Sequence, residues 1–194
     1  MGTTDHFPDP HLDEPDYYGS SEEQQVRPVN WNLLTADEAR AEWLDLDKWV
    51  NWLRRTYGLP PAVLPPFWHR HDELIWELSA LHLHWLACYD PDASGSAPLA
   101  WHHDFAEARN RLREWVSTAG TRLDHDRPTR QTIWPGEPLP PASLERVIEN
   151  RDEDFVQFVN EDLTARRRVE QRVDAFVQQQ AQTAGSSGSR DGGR

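Results

Sequence analysis

From Leu78 to Tyr89 the chain carries no Asp, Glu, Lys or Arg, although such residues make up 27% of the sequence. Leu74, Leu78, Leu81 and Trp85 recur at helical spacing, and Trp76, Ala80, Leu83 and Ala87 make a second stripe, so the segment predicts a helix that is apolar nearly all round. Asp72, Glu73 and Glu77 fall in its first turns, where carboxylates favour the positive end of the helix dipole. A helix of this kind over residues 72–89 must lie at the centre of a bundle, and the other elements must surround it.

Those elements can be read from the same period. Thr35-Ala36-Asp37-Glu38 is a capping-box pattern, after which Ala39, Trp43, Leu46, Val50, Leu53 and Tyr57 step by four and three. Gly58 with Pro60 and Pro61 supplies the stop, giving a helix near 35–57. Trp101, Phe105, Ala108, Leu112, Trp115 and Ala119 repeat the pattern after the loop "DPDASGSAP", with Ser96 as cap, giving a helix near 98–119 in an antiparallel hairpin with the central one. The interior is expected to hold Trp43, Leu46, Leu78, Leu81, Trp85, Phe105, Leu112 and Trp115. The proline-rich 121–141 reads as an irregular strap anchored by Ile133 and Trp134. Ser143 is expected to cap a helical region over 142–183 containing Leu144, Val147, Ile148, Phe155, Val159, Leu163, Val169, Val173 and Phe176. The fold class is all-α: a three-helix core over 31–120, a long, partly exposed C-terminal helix and disordered tails. Those tails are 1–30, with seven carboxylates against Arg27, and the Gly/Ser-rich 184–194.

Net charge of −13 argues against sequence-independent DNA binding and against anionic membrane surfaces, since both draw on Lys and Arg. Charged residues interrupt every apolar run well short of the roughly 20 residues that a membrane span requires. A single cysteine, Cys88, cannot form an internal disulfide, and no signal-peptide pattern opens the chain, so a cytoplasmic location is expected.

The stretch "LPPFWHRHDELIWELSALHLHWLACY" raises a metal reading through His69, His71, His82, His84 and Cys88, joined by His102 and His103. His82 and His84 point about 200° apart on a helix and cannot chelate one ion. His84 and Cys88 share a face, but spacing fixes no third ligand. His69 and His71 are instead expected at the opening turn of the central helix, each imidazole bonding a free amide, with Trp68 stapling the preceding segment. No phosphate-binding loop, nucleophile elbow or His-Glu-x-x-His motif occurs, so neither an enzyme nor a cofactor is expected. Most of the ten tryptophans fall on the apolar stripes and read as core. The candidate interaction surface is therefore Trp68, His69 and Arg70 together with Arg166, Arg167 and Arg168.

The succession "WLDLDKWVNWLRRTYGLPP", "LPPFWHRHDELIWELSALHLHWL" and "APLAWHHDFAEARNRLREW" resembles a group of small actinobacterial proteins of unassigned function from conjugative elements, plasmids and phages. The resemblance covers residues 43–115 and implies an accessory protein of a mobile element, in conjugative transfer or plasmid maintenance, without supplying any site residue. The leading functional expectation is a non-enzymatic adaptor that binds a protein of its element or host. The alternatives are an acidic DNA mimic occupying a nucleic-acid-binding protein, and a His-rich metal-binding protein. The C-terminal helix mostly steps by four or seven, as a coiled-coil seam does. Its acidic 152–162 and basic 166–172 predict a weak antiparallel homodimer or docking on a partner helix.

Overall fold

The computed structural model describes residues 27–138 and 145–188, with side chains as far as Gln182. Residues 1–26, the Ser143 cap with Leu144, and residues 189–194 lie outside the described residues.

Four helices carry the fold: α1 (Ala36–Tyr57), α2 (Asp72–Cys88), α3 (Ala97–Thr118) and α4 (Arg151–Gly188). At the start of α1 the Glu38 amide donates to the Thr35 hydroxyl and the Thr35 amide donates back to the Glu38 carboxylate at 2.8 Å. At its end Gly58 takes the left-handed conformation, φ +57, and donates its N–H to the Arg54 carbonyl, as a C-terminal glycine does. Pro at the second position opens α3, but Ser96 is already helical and its side chain caps nothing; the Ser94 carbonyl accepts from Ala97 instead.

α1 and α3 flank α2, and α4 packs on the far side of α1, so the helices run α3, α2, α1, α4 across the molecule. The core therefore holds more than the three expected helices. Phe155, Val159 and Leu163 of α4 join Trp43, Leu46, Leu53, Leu74, Leu78, Trp101, Phe105 and Leu112 in one buried cluster. Trp31 belongs to it too, its ring tilted against Trp43 with centroids 4.4 Å apart and its indole N–H donating to Ser79.

With α4 against α1, the outer side of α2 stays partly open. Trp76, Leu86 and Tyr89 are exposed, and Trp85 is only partly buried. This corrects the expectation of a fully surrounded central helix. Trp115, expected inside, is 44% exposed on α3, while its neighbour Val116 takes the inward position.

The segment after α3 also departs from expectation. β1 (His125–Asp126) and β2 (Arg146–Val147) form a two-residue antiparallel bridge, His125 opposite Val147. The helical region consequently begins at Arg151, and Val147 and Ile148 precede it. Asn150 sets that start, its side-chain oxygen accepting the amides of Asp152 and Glu153, with three carboxylates in the turn that follows. Ile133 and Trp134 do not anchor the strap, Trp134 being 70% exposed. Polar side chains hold it: Asp126 and Thr129 both reach His71. At the other end α4 continues to Gly188, into the Gly/Ser-rich stretch expected to be a tail.

Candidate functional site

The "HRHDE" stretch forms a 3-10 turn, Trp68–Arg70, leading into α2. Its two histidines point to opposite partners. The His69 Nε2 lies 2.9 Å from Asp154 of α4, and Arg70 closes on the same carboxylate, with Nε 2.8 Å from Oδ2 and Nη2 on Oδ1. The His71 Nε2 lies 2.8 Å from Asp126 and its Nδ1 2.8 Å from the Thr129 hydroxyl, which donates in turn to Glu73 at 2.6 Å. Neither imidazole caps a backbone amide, contrary to the sequence expectation. Each ties a distant segment to the start of α2, His69 the first turn of α4 and His71 the strap.

Burial governs the charge state of His69. Enclosed by Trp68, Phe155 and Phe158 with no exposed surface, it is pushed from 6.5 down to about 4, its bond to Asp154 pulling back only part of the way. Its Nδ1 meets no hydrogen-bonding group among the described residues, which further disfavours an imidazolium with two N–H groups to satisfy. Burial pushes Asp154 up, but hydrogen bonds from Arg70 and His69 outweigh it and hold the carboxyl below its usual range. The cluster resembles a His–Asp catalytic pair in connectivity only, since its imidazole is sealed from substrate.

The other histidines among the described residues are likewise engaged. His82 stacks on Trp49 with centroids 4.9 Å apart. The His84 Nε2 lies 2.9 Å from Asp104, and its ring is within 3.8 Å of the Cys88 sulfur. His102 faces away, to the Tyr57 hydroxyl. Among the described residues no three His, Cys, Asp or Glu side chains are grouped to hold a metal ion. No helix of those residues is long and apolar enough to cross a membrane.

The residues singled out as an interaction surface separate. Trp68 and His69 are buried and Arg70 is committed to Asp154, so this half offers no docking face. Arg166 is also turned inward, donating to Asp162 and to the carbonyls of Trp31 and Leu34. Arg167 and Arg168 are exposed.

What remains is a division within α4. Phe155, Val159, Asp162, Arg166, Val169, Val173 and Phe176 step by alternating four and three, so one face continues along the whole helix. Its first part is docked on α1: Arg151 pairs with Asp47, the Trp43 indole donates to Asp162 at 3.0 Å, and Glu170 accepts the Ala36 amide at 2.6 Å. Ala36 opens α1, so Glu170 sits at the positive end of that helix, and α4 runs past it. Val169, Val173, Phe176 and Val177 lie beyond or at this edge and are exposed, Phe176 at 60%. The sequence groups Phe155, Val159, Leu163, Val169, Val173 and Phe176 in one seam for a second copy or partner helix, but the first three dock within the chain, and no residue in α4 announces where that docking stops.

The chain matches no family model, no curated protein and no solved structure.

Proposed function

We propose that the protein is a non-enzymatic adaptor that binds another protein through the projecting part of α4. The observation that carries this reading is the apolar face of Val169, Val173, Phe176 and Val177, which keeps the phase of the docked seam after α1 has ended. Isolated surface apolar residues are ordinary, whereas four in register on one helix face supply an anchor row for a helix laid alongside. Covering them would contribute several kcal/mol, at roughly 25 cal/mol for each Å² of apolar surface removed from water. Arg168 and Arg172 lie beside the row, whereas Arg167 turns to Asp37 of α1, so the partner surface is an amphipathic helix with an acidic margin. A second copy of the chain fits less well, because Asp154, Asp162 and Arg166 of the 152–162 and 166–172 stretches expected to pair are already bound within the chain. The resemblance to mobile-element proteins supports a partner from the same element or its host.

Affinity capture from an actinobacterial lysate tests the reading. A protein retained by the wild-type chain is expected to be lost from Val173→Asp/Phe176→Asp and kept by Trp134→Ala, a change on the exposed strap. Retention by the double variant would overturn it.

A further inference from the structure

We propose that residues 1–26 of the chain bind the projecting face of α4 and compete there with the partner. The inference rests on the docking role of that face and names what regulates it.

Three observations favour this occupant. The first is position. The described chain begins at Arg27 and runs through Val29 and Trp31 into α1, Val29 and Trp31 packing on the core. The carbonyls of Trp31 and Leu34 are held by Arg166, one turn before Val169. The described chain thus begins four residues before a carbonyl held beside the point where the apolar face becomes uncovered.

The second is charge. Residues 1–26 carry Asp5, Asp9, Asp13, Glu14, Asp16, Glu22 and Glu23 and no Lys or Arg. Arg168 and Arg172 are exposed at the start of the projecting turns, within a chain of net charge −13. Phe7, Leu12, Tyr17 and Tyr18 are spaced among the carboxylates and supply apolar groups for Val173 and Phe176.

The third is reach. Val169 to Val177 spans about 12 Å of helix at 1.5 Å per residue, while 26 residues extend to roughly 85 Å. Covalent attachment sets an effective concentration on the order of millimolar, which a dilute second copy does not match. A weak contact therefore suffices to occupy the face, and a partner displaces it by binding more tightly.

Paramagnetic relaxation in the full chain tests the proposal. A nitroxide is attached at Ser20→Cys in a chain carrying Cys88→Ser, with the amide signals of Phe155 to Leu163 serving as the check that the fold is unchanged. The amides of Val169 to Val177 are expected to lose most of their intensity, and to recover it when Arg168→Glu/Arg172→Glu is added. A mixture of nitroxide-bearing unlabelled chain and isotope-labelled chain without nitroxide is expected to show no such loss. Undiminished signals in the first sample, or equal loss in the mixture, would overturn the proposal, the latter assigning the face to a second copy. Capture by the α4 face is measured separately, so a lost relaxation effect with Val173 and Phe176 still required for capture would remove the competitor and leave the docking role standing.

Discussion

Lowering the pH from 7 to 5 should weaken this fold through His69 in particular. The folded-state value of about 4 lies below the unfolded 6.5, so between these limits the unfolded chain binds a proton that the folded chain refuses. The stability that this confers is complete above about pH 6.5 and is lost as pH falls towards 4. Integrating proton uptake between pH 7 and 5 gives a loss of about 2 kcal/mol from this one residue. With a urea dependence of about 2 kcal/mol per M, the unfolding midpoint should fall by roughly 1 M. His82, also lowered by burial, acts in the same direction, so the informative quantity is a difference between chains. His69→Phe removes the titration, keeps a ring between Trp68, Phe155 and Phe158, and leaves Asp154 with Arg70. Urea titrations followed by tryptophan fluorescence at pH 7 and pH 5 should show a smaller acid loss in His69→Phe than in the wild type, by about 2 kcal/mol. Equal losses in the two chains would refute the argument that His69 is held neutral in the core.

Asp154→Ala strands Arg70 and His69 and should cost about 3 kcal/mol, the lower end for a broken buried pair because Arg70 retains some solvent. Calorimetry should register this as a midpoint lowered by about 6 to 12 °C. Trp101→Ala, at a position with no exposure, should cost about 3 to 5 kcal/mol. Trp85→Ala should cost about half as much by the same urea assay, since Trp85 is partly open. Gly58→Ala should cost about 1 kcal/mol by thermal unfolding through its positive φ alone, because an added Cβ there meets no atom within 4 Å.

The helices were legible because their signals are local. The Thr35–Glu38 box, the Gly58 stop and the four-three spacing of Trp101 to Leu112 act within a few residues, and helical packing preserves them. What depended on distant partners was not legible. The ring directions of His69 and His71 are set by Asp154 and Asp126, which lie 85 and 55 positions away, and no local pattern encodes such a pairing. Trp115 and Val116 are adjacent and both apolar, so a small difference in helix phase decides which turns inward. The start of α4 did carry a signal, Asn150 ahead of Asp152, Glu153 and Asp154, but the apolar Val147 and Ile148 mimicked an earlier helical turn. The division of α4 has no local signature, since docked Val159 and exposed Val173 are the same residue type on one face.

That division is the central claim, and equilibrium unfolding of two single variants tests it most directly. Leu163→Ala removes a side chain buried against α1 and should cost about 3 kcal/mol. Val173→Ala, on the stretch of α4 that runs past the start of α1, should change stability by less than about 0.5 kcal/mol. Similar losses in the two variants would contradict the account, because they would place both halves of α4 inside one core and leave no free face for a partner.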